Sequence, residues 1–231
     1  MIKLYAVVTG DIKNFTSLSD NRREKLILET ESLLKTMVVH EKDAKMFRGD
    51  SYQFITADIG GVLMMCLKLI CWFKMYVADL PPKERNLLRY NTRLGTRQSI
   101  GIGEIAYKGK SVLDSDGQAF HLSGRVFDDM QKNDILKLTT FDEERNNTYE
   151  IILTYINLLI KQWTASQAET IYYLLTMEEA TQEKIARKMD MTQPGVANSL
   201  RFARWKEVEK GINFISDALE KQCLLNQKQR I

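Results

Sequence analysis

The chain has 231 residues, 44% of them hydrophobic and 27% charged, a balance that excludes a disordered chain and suits one large or two modest globular domains. A formal net charge of +3 excludes a whole-molecule attraction to nucleic acid or membrane, so any basic surface must be local. Three cysteines, Cys66, Cys71 and Cys223, exclude a disulfide framework and a Cys-x-x-Cys metal motif. The amino end shows no charged and then apolar leader pattern, and a cytoplasmic location is the expectation.

In chain order, "VVTGDIKNFTSL" reads as an apolar strand through Leu4, Ala6 and Val8 that stops on Gly10 and presents Asp11 at its end. "SDNRREKLILETESLLKTMVVHEK" predicts a helix with Asp20 as its N-cap and Leu26, Leu33, Leu34 and Met37 at helical spacing. "AKMFRGDSYQFITA" predicts two short strands joined at Gly49-Asp50. "GGVLMMCLKLICWFKMYVADL" approaches the length of a membrane span, but Lys68 and Lys74 interrupt it, which favours a buried or dimer-facing helix stopped by Pro81-Pro82.

"RQSIGIGEIAY" then predicts a strand in which Gly101 and Gly103 admit close backbone approach. A loop with Asp114 and Asp116, a helix over "GQAFHLSGRVFDDMQK" and a strand over "DILKLTT" follow. This order predicts an α/β sandwich of the α+β kind over residues 1–145, with helices on a mixed or antiparallel sheet. The polar "FDEERNNTYE" suits a hinge or linker into an all-α region over 146–231.

Asp11 and Asp50 are the first functional candidates. Two carboxylates brought close repel unless a cation lies between them, and Mg²⁺ or Mn²⁺ fits both oxygen ligands and phosphate oxygens. The segments "GDIKNFTSLS" and "FRGDSYQF" resemble the two metal-binding segments of class III nucleotidyl cyclases. "SIGIGEIAYKG" resembles that family's Gly-rich strand, and "LDSDGQAFHLSGRV" its segment carrying a base-reading acid, a Gly, an Asn and an Arg, so the resemblance covers about residues 4–130.

The resemblance implies a ferredoxin-like fold with Asp11 and Asp50 as metal ligands. It implies that the backbone from Ile12 through Phe15 and Thr16 cradles phosphates, that Asp114 reads the base of a purine nucleotide such as ATP or GTP, and that Arg125 stabilises transition-state charge. His121 stands where the family has its transition-state Asn. Met46 stands where many members place a base-selecting Lys, with Lys45 beside it, and Lys132 and Lys137 lie in the region of the family's late Lys. Read without the resemblance, Arg125 would pair with Asp128 or Asp129 on its own helix, and His121 would make a partly buried polar contact. The family builds its site between two subunits, so the resemblance also implies a homodimer in which Asp11 and Asp50 face Asp114, His121 and Arg125 of the second copy.

Farther on, Gln182, Ala186, Asp190, Val196 and Leu200 in "TQEKIARKMDMTQPGVANSLRFARW" match helix-turn-helix spacing, with Asp190 in place of the usual turn Gly. Thr192 is a candidate cap, and Pro194 falls in the first turn of the second helix, where its missing N–H costs little. Gln193, Asn198, Ser199, Arg201 and Arg204 would form an outward face able to contact base edges and phosphates of double-stranded DNA. Lys184, Arg187 and Lys188 would add backbone contacts, and a helical module for protein contacts is the plainer alternative. The preceding "WTASQAETIYYLLTMEEATQEKIARKM" resembles the extra helix that bacterial regulators set ahead of such a motif.

"RWKEVEKGINFISDAL" carries a stripe of Trp205, Val208, Ile212, Ile215 and Leu219, read as core or dimer seam. The combination also resembles the loosely defined SatD-like bacterial proteins. The expectation is a DNA-binding regulator whose cyclase-like domain binds a nucleotide with Mg²⁺ or Mn²⁺; the alternatives are an active nucleotidyl cyclase with an accessory helical module, and an interaction scaffold.

Overall fold

The computed structural model describes residues 3–76 and 94–228. The Pro81-Pro82 stop lies outside the described residues.

A single five-stranded sheet organises the first half. Strand β1 (Leu4–Lys13) is central; it pairs antiparallel with β3 (Ser51–Thr56) on one side and β4 (Gly95–Glu104) on the other. Strand β2 (Ala44–Phe47) lies outside β3, and β5 (Leu136–Thr140) lies outside β4 and parallel to it, giving the order β2-β3-β1-β4-β5. The helices described are α1 (Asp20–Thr36), α2 (Val62–Tyr76), α3 (Gln118–Asp129), α4 (Glu143–Gln162), α5 (Ala165–Thr176), α6 (Gln182–Lys188), α7 (Gln193–Phe202) and α8 (Trp205–Lys228). The result is a mixed α/β protein in which, among the described residues, three strands and two α-helices precede β4, as the hydrophobic pattern predicts.

Alternation along β1 sorts its side chains. Ala6, Val8 and Ile12 join the main core with α2, whereas Val7 joins a smaller cluster with Ile55, Val112 and Ala119 beneath α3. Gly10 does not stop the strand as expected. It pairs with Tyr52 and Gln98 in the ladder, and a Cβ there would stand 2.5 Å from Tyr52 Cζ, so the missing side chain makes room for the Tyr52 ring. Asp11 is therefore a strand residue flanked on both sides. Ser19 and not Asp20 stands at the N-cap position of helix α1, without a side-chain capping bond; Asp20 is the first residue of the helix and pairs with Arg23 at 3.1 Å.

Helix α2 buries Val62, Leu63, Cys66, Leu67, Leu69, Ile70, Cys71, Phe73 and Tyr76. One side meets β4 and the other meets α5 and α8. Burial pushes the Cys66 and Cys71 thiols well above their ordinary range and keeps them protonated. Among the described residues, no helix is long and apolar enough to cross a membrane.

The stretch "FDEERNNTYE" is the start of α4 and not a linker. Asp142 accepts from the backbone N–H of Arg145, and the Asn146 amide both accepts from Thr140 N (2.9 Å) and donates to Thr140 O (3.0 Å). Its polarity serves a cap and a tight joint on β5. Beyond it, Tyr149, Leu153, Ile156, Ile160 and Trp163 join the same core cluster as Val8 and Ile100. The α8 stripe of Trp205, Val208, Ile212, Ile215 and Leu219 is spent on that core within one chain.

Helix α3 crosses the sheet closely over β4. A Cβ on Gly101 would lie 2.2 Å from Ala119 O and 2.4 Å from Ser123 N, both backbone atoms that cannot step aside, while a Cβ on Gly124 would meet nothing within 4 Å. Urea unfolding should therefore show Gly101→Ala losing about 1–3 kcal/mol. Gly124→Ala, in the same helix, should gain about 0.5–1 kcal/mol.

Candidate functional site

Local turn chemistry brings the backbones at the two acids onto neighbouring strands. Arg48 (φ 53°) and Gly49 (φ 84°) both take left-handed backbone in the tight β2–β3 turn, which closes with Phe47 opposite Ser51. The Ile12 N–H then donates to Asp50 O at 2.8 Å, and Asp11 stands opposite Ser51. On its other flank Asp11 faces Arg97, whose guanidinium grips both carboxylate oxygens (Nε at 3.1 and 3.0 Å, Nη2 at 2.9 Å). Arg97 also donates to Met130 O at 2.9 Å and lies 4.9 Å from the Phe127 ring centre.

Beneath the pair runs a buried relay. Thr96 Oγ1 donates to Asp11 O (2.7 Å) and sits 2.6 Å from the Tyr52 hydroxyl, so the phenol supplies the proton of that second bond. Burial holds the Tyr52 phenol well above its usual range, so it remains a donor. Asp50 has Ser51 Oγ near its carboxylate at 3.3 Å.

Two carboxylates with hard oxygens fit Mg²⁺ or Mn²⁺, which bind through one or two carboxylates plus phosphates and waters rather than an all-protein cage. Arg97 competes for Asp11 with any such ion. Among the described residues there is no group of three His, Cys, Asp or Glu able to hold a metal.

The remaining candidates are placed differently. Ile12 is 3% exposed and its N–H is already bonded to Asp50, so it offers a phosphate nothing. Phe15 packs against Gly49 and lies 5.9 Å from the Arg23 guanidinium, and the carbonyl of exposed Thr16 accepts from Arg23 at 2.6 Å. Asn14 (φ 61°) turns the chain there.

Asp114 is exposed at the end of a single 3-10 turn. His121 is exposed, with Nε2 3.2 Å from Asp116 Oδ1. Arg125 is exposed, and no ion pair to Asp128 or Asp129 is found among the described residues. Inward-facing Ser123 meets Thr9 at 2.9 Å, and the far end of α3 meets Arg97, so His121 and Arg125 lie on the outer side and one chain does not bring them to Asp11. Met46 is buried in the core, and Lys45 pairs with Glu31 at 3.3 Å. Lys137 pairs with Asp134 at 3.2 Å.

Beside Asp11, a cavity of about 630 Å³ opens at the end of the sheet, lined by Lys13, Lys74, Arg97, Lys132 and Lys161 among others. These cations come from separate segments, which is why no sequence motif announces them. Burial pulls the Lys13 ammonium below its ordinary value; neighbouring Asp11 works against that shift and Arg97 adds to it.

The second candidate region is the helix pair α6–α7. Asp190 takes left-handed backbone (φ 52°) at the turn, Thr192 Oγ1 accepts from Gly195 N at 3.2 Å, and Ile185, Ala186 and Val196 form a small buried cluster. Gln193, Asn198 and Arg201 are exposed, with Gln193 Nε2 donating to Gln182 and Arg201 to Asn198 Oδ1 at 3.1 Å.

Ser199 does not belong to that face: its hydroxyl lies 2.9 Å from Thr170 Oγ1 on α5. Arg204 lies past the end of α7 at φ 54°, 3.7 Å from Glu207, because the helix terminates where Trp163 Nε1 donates to Ala203 O at 2.8 Å. Of the flanking cations, Lys184 pairs with Glu179 at 3.3 Å, Lys188 sits over the Tyr173 ring and Arg187 is exposed. Compared with known proteins, the chain matches no family model and no curated protein.

The Asp11–Arg97 pair is only 21% and 26% exposed, so breaking one side leaves a poorly solvated charge. Arg97→Gln should cost about 1.5–3 kcal/mol in urea unfolding. Adding Asp11→Asn to it should cost less than the sum of the two single changes, a coupling that a double-mutant cycle reads directly.

Proposed function

We propose that this protein is a cytoplasmic DNA-binding regulator whose α/β half binds a purine nucleotide, of the ATP or GTP class, together with Mg²⁺ or Mn²⁺. The observation that carries the nucleotide part is the backbone bond from Ile12 N–H to Asp50 O, which sets the backbones of Asp11 and Asp50 on neighbouring strands at the end of the β3–β1 ladder. The chain order strand-helix-strand-strand-helix-strand with sheet order β2-β3-β1-β4 agrees with the ferredoxin-like arrangement that the cyclase resemblance implies. Asp11 and Asp50 would hold the ion, which would neutralise phosphate charge. Asp114, His121 and Arg125 would complete the site from a second copy, and their exposure on the outer side of α3 is what such a homodimer needs.

The DNA part is supported by the Asp190 turn and by the exposed amides and guanidinium of Gln193, Asn198 and Arg201 on the second helix of a helix-turn-helix. A second reading, an active nucleotidyl cyclase, is favoured by one feature: Arg125 is exposed, with no ion pair among the described residues, and so is available to a transition state.

Incubation with each nucleoside triphosphate and Mn²⁺, followed by chromatography with mass detection and a thermal melt, separates these readings. The regulator reading expects intact nucleotide and metal-dependent stabilisation of about 2.7 kcal/mol at a hundredfold excess over Kd. Asp50→Asn should abolish that stabilisation. A cyclic product absent from the Asp11→Asn/Asp50→Asn control would establish the cyclase reading, and a melt unmoved by any nucleotide with metal would overturn both.

For DNA, selection from a random duplex pool should enrich a defined sequence. Asn198→Ala/Arg201→Ala should bind that sequence more weakly, at about 1–3 kcal/mol for each lost base contact. Equal binding by the variant would remove α7 as the reading helix.

A further inference from the structure

The outer face of α4 plays no part in the fold or in the sites described above. Ile151, Tyr155 and Leu158 stand there 61%, 67% and 53% exposed, while the opposite side of the same helix buries Tyr149, Leu153, Ile156 and Ile160. Large apolar side chains gathered on one exposed face mark a surface that another surface covers. With Glu144, Thr148 and Gln162, also exposed, the three recur at spacings of four, three, four, three and four residues. That is the seam pattern of two helices packed along each other, and it runs nearly the whole length of α4.

The neighbouring sheet edge does not compete for a partner. Asn157 Nδ2 covers Leu136 O at 2.9 Å, and Asn146 takes both the N–H and the carbonyl of Thr140, so the outer edge of β5 is closed at both ends against an added strand.

The charges indicate what covers the seam. Exposed Glu143, Glu144 and Glu150 lie in the first half of α4, Lys161 is exposed in its last turn, and Arg145 is turned to Asp142 at 3.0 Å. A helix face that is acidic at one end and basic at the other complements itself when reversed, which is what a two-fold contact requires. Antiparallel pairing in seam register sets Ile151 against Tyr155 of the second copy, and Thr148 against Leu158 of the second copy. Glu144 then faces the last turn of the second copy, beside its Lys161. Such pairs fix orientation and register more than strength.

We propose that the outer face of α4 is the seam of a homodimer, covered by a second copy of this chain running antiparallel about a two-fold axis near the middle of the helix. The seam lies at the β5 edge of the sheet and uses none of Asp114, His121 and Arg125, so it is separate from the pairing through α3 proposed above. A chain carrying both contacts assembles beyond a dimer. Trp163 follows α4, and its indole N–H donates to Ala203 O at the end of α7, so the same axis sets the distance between the two helix pairs.

Sedimentation equilibrium of the full chain, in EDTA and without nucleotide or DNA, tests this. A concentration-dependent mass rising to at least twice that of one chain is expected across the micromolar range. Ile151→Glu/Tyr155→Glu replaces two exposed side chains, so the circular dichroism spectrum should be unchanged while the mass at a given concentration falls toward half. Glu144→Lys and Lys161→Glu should each weaken association. The combined variant should restore it, which a mere loss of helix stability would not do.

The mass of one chain at every concentration would overturn the proposal, as would wild-type association in Ile151→Glu/Tyr155→Glu. A combined charge reversal that associates no better than the single ones would overturn the antiparallel pairing and the proposal with it. Association lost in Arg125→Glu but kept in Ile151→Glu/Tyr155→Glu would assign the contact to α3 instead. With metal, nucleotide and DNA all absent, these outcomes are independent of the function proposed above.

Discussion

No residue of helix α2 is fully exposed, and the rest of the molecule is arranged around hiding it. Nine of its fifteen residues are buried, and each large apolar side chain taken out of water contributes about 1.5–3 kcal/mol. The sheet can cover only one side. Gln98 on β4 reaches across to donate to Cys66 O at 3.1 Å, which fixes the helix on the strands. The other side is covered by α5 and α8, with Trp72 packed against Tyr172 at 6.0 Å between ring centres. A sheet alone would leave half of this helix wet, so the carboxyl-terminal helices are structurally required by the amino-terminal half.

That shared helix makes the two halves mechanically dependent. Trp163 sits at the junction, buried, its carbonyl held by Lys74 of α2 and its indole N–H held by Ala203 at the end of α7. Its ring also lies 6.4 Å from Trp205, which starts α8. A displacement of α2 or of the last turn of α4 must therefore be accommodated where the helix pair begins and ends. Packed cores shift between discrete arrangements and do not deform smoothly, which is the property a ligand-dependent regulator needs.

The Asp11 end of the sheet obeys a different constraint. Asp11 is in register with Ser51 on one side and Arg97 on the other, and its own carbonyl is held by Thr96. Its position is thus rigid while its carboxylate is held by Arg97. The outward helix α3 meets the sheet through small residues, Gly101, Ser99 and Ser123, so His121 and Arg125 are left on its exposed side.

Much of this was legible from periodicity. The order of strands and helices, the burial of α2 despite its membrane-like length, the left-handed turn at Asp190 and the core stripe of α8 follow from local patterns that neighbours only reinforce. Other features depended on partners distant in the chain. Gly10 reads as a strand end until Tyr52 is seen to need its space, and Ile12 reads as a phosphate donor until Asp50 takes its N–H. Ser199 reads as outward until Thr170 meets it, and "FDEERNNTYE" reads as a linker until Asn146 closes on Thr140.

By itself, then, the amino-acid sequence determined which segments are helix or strand and where the acids and amides fall along them, because backbone preference and hydrophobic spacing act over a few residues. Only the tertiary structure decided that Arg97 claims Asp11, and that Lys13, Lys74, Lys132 and Lys161 surround one cavity. Those juxtapositions join residues as much as 148 positions apart, from Lys13 to Lys161, and no local rule encodes a meeting that the packing of α2 brings about.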